Sequence, residues 1–128
     1  MSISIGMRGQ AETLVTEDNI ATAYGNKGMP VFATPCLIAL FEQAAIQAVH
    51  SGLSPEEGTV GTMLHVTHDA ATPLGKRVRA EAELISVEKR KLVFQVTAFD
   101  ERGQIGAGIH ERYIVNVNSF LKKTMEKE

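Results

Sequence analysis

One carboxylate stands alone in an apolar stretch. Between residues 31 and 50 the chain runs through Cys36, Leu37, Ile38, Ala39, Leu40, Phe41, Ala44, Ala45, Ile46, Ala48 and Val49, and Glu42 is the sole acidic residue. At helical spacing, Ile38, Ala45 and Ile46 share its face. Desolvation among such neighbours raises a carboxyl pKa unless a partner compensates, and acids in that position are candidates for catalysis. The competing reading is that Glu42 reaches solvent or pairs with a cation from a strand. A second proton-transfer group is His68. Alternation along residues 59–69 places Val60, Thr62, Leu64, Val66 and His68 on one face, and Met63, His65 and Thr67 on the other. A lone inward histidine is ordinarily a satisfied core residue. An inward histidine and a buried glutamate in one small chain are a less ordinary pair.

Five further residues carry weaker signals. Gly61 sits where that strand begins and marks a bulge or a close backbone approach. Its amide would then be placed to donate to a substrate carbonyl, against the plain alternative of local strand geometry. Cys36, at a helix N-terminus, reads as a core thiol. His110, Glu111 and Arg112 follow one another on the last strand and read as solvated polars. No HxxxH helix or Cys/His spacing supports a metal site, and no cofactor is implied.

The elements that position these groups follow from caps and periodicity. Thr34 is the expected N-cap, Pro35 the first helical residue and Gly52 the stop, with His50 in the last turn. The apolar residues run nearly all the way round, which predicts a buried helix. About 16 residues give roughly 24 Å, too short for a typical membrane span. A weak strand precedes it within residues 3–15. Thr16 and Asp18 are placed to cap a short helix over 19–24. The run Tyr24-Gly25-Asn26-Lys27-Gly28-Met29-Pro30 is a turn-rich loop leading into the long helix, either a flap over its N-terminus or a plain connector. After the helix the period becomes two. Val78, Ala80, Ala82 and Leu84 alternate with Arg77, Arg79, Glu81 and Glu83. Ile85 and Val87 fall on the wrong face, which predicts a bulge or a twist. Hairpin turns follow at 88–91 and 100–103, with Leu92, Phe94, Val96 and Ala98 continuing the inward face and 104–117 forming the last strand. The pattern is α+β, one long central helix wrapped by an antiparallel sheet.

At 128 residues with a net charge of −2, the chain reads as one domain, 1–128, with a core over about 9–117 and a charged C-terminal tail, 118–128, expected to fray. No basic block or basic–aromatic interleaving points to nucleic acid. A single cysteine and no apolar N-terminal run suit the cytoplasm and exclude an internal disulfide framework.

The run from Val31 through Ala33-Thr34-Pro35-Cys36 to Phe41-Glu42 resembles the start of the central helix in hot-dog-fold acyl-CoA thioesterases. It is most similar to the fluoroacetyl-CoA thioesterase-like group. Gly61-Thr62, Val66-Thr67-His68, Ala71-Thr72-Pro73-Leu74-Gly75 and His110-Glu111-Arg112-Tyr113-Ile114-Val115 fit as well, so the resemblance spans about residues 9–117. It implies a hot-dog domain that dimerises, with active sites at the dimer interface and an acyl-CoA substrate. It implies Thr34, Glu42 and His68 as the catalytic residues, with His68 or its partner-subunit copy acting on the site, and Gly61 and Arg112 as substrate-binding positions. The loop departs from the group: the fluoroacetyl-specific enzyme screens its substrate with lid phenylalanines, whereas Tyr24, Gly25 and Gly28 stand here. The resemblance therefore carries the reaction class and not the acyl group.

Two rival functions share this pattern, a hot-dog acyl-CoA hydratase or dehydratase and a non-catalytic acyl-CoA-binding domain. Cations for the CoA phosphates are sought in Lys76, Arg77 and Arg79 or in Lys89, Arg90 and Lys91. One tension is geometric. Eight residues along a helix is about 12 Å, so Thr34 as N-cap cannot bond Glu42 directly. Either the two act on different parts of the site or a partner subunit brings one of them closer.

Overall fold

In the computed structural model, which describes residues 2–127, the elements are β1 (Arg8–Leu14), α1 (Thr34–Val49), β2 (Glu57–Val66), β3 (Arg77–Glu88), β4 (Lys91–Asp100), β5 (Gly103–Asn116) and α2 (Val117–Met125). The strands form one sheet in the order β1-β3-β4-β5-β2, every neighbouring pair antiparallel. α1 lies across this sheet and packs chiefly on β1, β3 and β4.

The alternation in β3 and β4 produces the sheet's inner face. Val78, Ala80, Ala82 and Leu84, with Leu92, Phe94, Val96 and Ala98, are all buried against Leu37, Leu40, Phe41, Ala44, Ala45 and Ala48 of α1. Each large apolar side chain so buried contributes about 2 kcal/mol. Small residues set how closely the layers approach. A Cβ on Gly9 of β1 would collide with the Ala44 carbonyl and the Ala48 amide of α1. The expected bulge in β3 is present: the register shifts between Leu84 and Ser86, leaving Ile85 and Val87 exposed.

Several expectations are corrected. α1 begins at Thr34 itself, with Ala33 as N-cap and no side-chain cap bond. Val31 and Phe32 instead form isolated bridges to Pro73 and Ile20, so the apolar run entering the helix belongs to its approach. α1 is not buried all round. Ala39, Gln43, Ile46 and Gln47 are exposed, because a single sheet covers one side of a helix and no second layer of described residues lies over the other. The short helix is a 3-10 turn over Ala21–Tyr24, with no side-chain bond at its N-cap, Ile20. Asn19 forms the turn before it, accepting from the Thr16 amide at 2.8 Å and donating to the Leu14 carbonyl at 3.0 Å. The tail expected to fray is largely helical. Asn116 caps α2 by accepting from the Ser119 amide at 3.0 Å, and Lys122 and Lys123 sit in its last turn, where cations suit the dipole.

β2 contains the correction that matters most for the site. Its register against β5 shifts between Gly61 and Met63. The bulge inserts one residue, so the alternation changes phase. Gly61 pairs with Arg112 and Leu64 with His110, which puts Gly61 and Leu64 on the inner face. Val60 pairs with Tyr113, on the other face from Gly61. The expected inward set therefore holds from Leu64 to His68 and fails at Val60 and Thr62.

Candidate active site

α1 carries two groups of polar residues, one at its first turn and one at its middle. At the first turn, Thr34 Oγ1 lies 2.8 Å from Nδ1 of His68. The hydroxyl that was expected to cap the helix is engaged with the strand segment after β2. His68 Nε2 is buried and has no hydrogen-bond partner among the described residues. Burial pushes the His68 pKa below the ordinary imidazole value, with the Asp69 carboxylate opposing. A neutral imidazole bonded through Nδ1 to a hydroxyl, with Nε2 unengaged, is equipped to take a proton. A cleft of about 200 Å³ opens beside this pair, lined by Asn26, Met29, Phe32, Thr34, His68 and Asp69 among others.

The loop over 24–30 is thus placed at the site. Its base is pinned by Ala21 N–H to the Val31 carbonyl at 2.8 Å and by the Met29 amide to Thr22 Oγ1 at 2.9 Å. Its tip turns through Gly25 and Gly28 at positive φ, 97° and 72°, where other residues are strained. Tyr24 lies against Cys36, whose thiol pushes the phenol pKa up. Cys36 itself is half-buried and packs on the core.

At the middle of α1, Glu42 takes the cation that the competing reading allowed. Its Oε1 accepts from Nη1 of Arg112 at 2.9 Å. Arg112 is 3% exposed while the Glu42 side chain is 36% exposed, so the buried partner is the arginine. The guanidinium is fixed on its other edges. Nε donates to Thr59 Oγ1 at 2.9 Å and Nη2 to the Thr59 carbonyl at 3.0 Å. Nη1 also lies 3.2 Å from Nε2 of His110, whose Nδ1 lies 2.9 Å from the Met63 carbonyl oxygen. No described residue hydrogen-bonds Glu42 Oε2. Gly61 makes the space: a Cβ there would stand 2.5 Å from Oε1, 3.2 Å from Arg112 Nη1 and 3.3 Å from His110 Cε1.

Within one chain, then, Thr34 meets His68, and Glu42 meets Arg112 and Gly61. The two groups do not touch, and the helical rise between Thr34 and Glu42 is about 12 Å. His110 and Arg112, read as solvated polars, are both buried. Residues 110 and 112 share one strand face with Gly108 and Ile114, and that spacing was the available signal. Thr59 was hidden by the bulge. The sought phosphate-binding cations mostly have carboxylates already: Lys76 with Glu101, Arg77 with Glu12, Arg79 with Glu81, Arg90 with Glu57 and Lys91 with Glu111. Among the described residues no three His, Cys, Asp or Glu side chains gather as a metal site, and no helix is long and apolar enough to cross a membrane.

A long helix laid across a curled five-stranded antiparallel sheet, with an acid at its middle and a hydroxyl at its start, defines a hot-dog thioesterase-type domain. The crystal structure of the fluoroacetyl-CoA thioesterase FlK superposes with a TM-score of 0.90 at 35% identity, covering 100% of this chain and 99% of that one. A thioesterase superfamily member from Thermus thermophilus gives 0.86 at 27% identity, covering 97% and 94%. Residues 15–118 match the profile of the fluoroacetyl-CoA-specific thioesterase (FlK) family. The fluoroacetyl-CoA thioesterase of Streptantibioticus cattleyicolor is 44% identical over 97 residues, 76% of this chain and 70% of that protein. The chain belongs to this family of acyl-CoA thioester hydrolases.

Proposed function

We propose that this protein hydrolyses a small acyl-CoA to the free acid and CoA, with Glu42 as the reacting carboxylate and Thr34 and His68 as its proton-handling partners. The observation that carries the reading is the state of Glu42. One oxygen is held by a buried guanidinium that is engaged at all three of its nitrogens, and the other is hydrogen-bonded to no described residue. That arrangement fixes the direction of the free oxygen, which attacks the thioester carbonyl or takes a proton from water. In net terms water adds across the C–S bond, hydroxyl to the acyl carbon and proton to sulfur. If Glu42 attacks, the C–S bond breaks as a mixed anhydride forms, and the unengaged Nε2 of His68, with Nδ1–H donating to Thr34, takes a proton from the water that opens the anhydride and passes it to the thiolate. If Glu42 is the base, the proton it takes from water is the one passed on to the thiolate. The positive end of α1 favours the oxyanion that develops. Gly61 and Arg112 serve the same end by holding the carboxylate where the acyl group must lie.

The 12 Å between Thr34 and Glu42 is bridged in this reading by a homodimer, acting in the cytoplasm. β2 is an edge strand and α1 keeps an exposed stripe at Ala39, Gln43 and Ile46. A second copy seated there covers both, setting Thr34 and His68 of one protomer opposite Glu42 and Arg112 of its partner. The domain over 1–128 then acts as half of a composite site. The test is subunit mixing. Glu42→Gln and His68→Ala proteins are each expected to lose about 10²-fold or more in kcat. Unfolded and refolded together, they form mixed dimers with one intact site, recovering about a quarter of wild-type CoA release. No recovery on mixing, with dimers present, overturns the composite site. Undiminished turnover by Glu42→Gln overturns the assignment of the carboxylate.

A further inference from the structure

His110 is fully buried at the middle of β5, and no step above uses it. Its two ring nitrogens are committed in opposite senses. Nδ1 lies 2.9 Å from the Met63 carbonyl oxygen, which only accepts, so Nδ1 carries the proton. Nε2 lies 3.2 Å from Nη1 of Arg112, which only donates, so Nε2 presents its lone pair. The ring is a neutral Nδ1–H imidazole wedged between the β2 bulge and the guanidinium. The same Nη1 donates to Glu42 Oε1. Facing the ring are Arg112 on its own strand, Glu42 from α1, the Met63 carbonyl from β2, and from β4 the apolar Phe94, ring centroids 6.2 Å apart.

We propose that His110 is a positioning residue for hydrolysis: as a neutral acceptor anchored to the β2 bulge, it aims Arg112 Nη1 at Glu42. The inference rests on Glu42 being the reacting carboxylate. Thr59 holds the guanidinium from the Nε and Nη2 edges, and His110 settles where the remaining nitrogen points. The bulge between Gly61 and Met63 belongs to the same device, since Met63 supplies the carbonyl that fixes the tautomer. Protonation of His110 would remove the acceptor and set an imidazolium against the guanidinium. Burial, reinforced by Arg112 and opposed by the Met63 carbonyl and Glu42, pushes the His110 pKa down, which keeps the ring neutral near pH 7.

The test pairs two substitutions with opposite remainders. His110→Gln keeps an acceptor near the place of Nε2. His110→Asn keeps a donor toward Met63 and loses the acceptor. With acetyl-CoA as probe, His110→Asn is expected to lose about tenfold or more in kcat with KM within about twofold, while His110→Gln stays within about threefold. The acid limb of kcat moves in His110→Gln, whose side chain does not titrate; a purely structural role leaves it in place. Nitrogen-15 spectra of histidine-labelled wild type should show the neutral Nδ1–H tautomer at pH 7. Equal activity in both variants, equal loss in both, an unmoved acid limb, or an Nε2–H or charged ring overturns the inference while leaving the thioesterase reading intact. Wild type that releases no CoA overturns both. If His110→Asn does not fold, the tautomer and the His110→Gln limb still decide.

Discussion

Gly61→Ala tests whether the carboxylate must sit where it does. The backbone at Gly61 is not at positive φ, so alanine introduces no dihedral strain. The added Cβ would stand 2.5 Å from Glu42 Oε1, against an ordinary contact of at least 3.4 Å. The carboxylate must therefore retreat by about 0.9 Å, the difference of those two distances. It has room, being the flexible end of a side chain that is 36% exposed. Arg112 cannot follow, because two bonds to Thr59 hold its other edges. Stability should fall by about 1 kcal/mol or less, the low end of overpacking. A displacement near 1 Å at a reacting group costs up to about 10²-fold in rate, or about 2.7 kcal/mol of activation energy. The assay is CoA thiol release at saturating substrate beside thermal unfolding of the same samples. Gly9→Ala is the control. Its Cβ meets the backbone of Ala44 and Ala48, which cannot swing aside, so it should lose far more stability than Gly61→Ala. Gly61→Ala with wild-type kcat and an unshifted midpoint would refute the argument that this contact places Glu42.

Other outcomes follow from the same geometry. Thr34→Val removes the bond to His68 Nδ1 and should lower kcat about tenfold or more, whereas Thr34→Ser, which keeps a hydroxyl, should retain most of it in the same thiol-release assay. His68 and His110 both have folded pKa values below the unfolded value, so the unfolded chain binds more protons in the window below about 6.5. Stability should therefore fall as pH drops from 7.5 toward 5, read as a decreasing melting temperature, and His110→Gln should flatten that slope. Asn116→Ala should weaken α2 by about 1 kcal/mol, seen as faster amide exchange over residues 117–125 with no change in turnover. A single turnover of wild type in ¹⁸O-labelled water tests the nucleophilic role of Glu42: label entering its carboxylate shows attack through a mixed anhydride that water opens at the Glu42 carbonyl, and label in the released acid alone excludes that route.

Reading along the chain reached what depends on neighbours in sequence. The long helix was legible because Pro35 opens it and apolar residues sustain it. β3, β4 and their hairpin were legible because Val78, Ala80, Ala82 and Leu84, then Leu92, Phe94, Val96 and Ala98, keep a strict period of two. Ile85 on the wrong face announced a bulge that is there. Residue type and spacing singled out Glu42, His68 and Gly61, and the family motifs added site roles for Thr34 and Arg112. Composition and periodicity alone had no means to join them, since the pairs that matter are distant: Thr34 and His68 are 34 residues apart, and Glu42 and Arg112 are 70.

Tertiary structure decided the rest. One inserted residue after Gly61 reversed the alternation and turned Thr59 and Gly61 inward; the strand glycine marked the place of a bulge, but no propensity marks which residue a strand will leave unpaired. Thr34 met a histidine rather than its own helix, because a hydroxyl at the first helical position is free to turn toward a neighbouring element. His110 and Arg112, polar in sequence, became buried because Met63, Thr59 and Glu42 satisfy them. Whether a polar side chain on a strand is solvated or enclosed depends on what lies across the layer, and only the folded chain brings those partners within 3 Å or so.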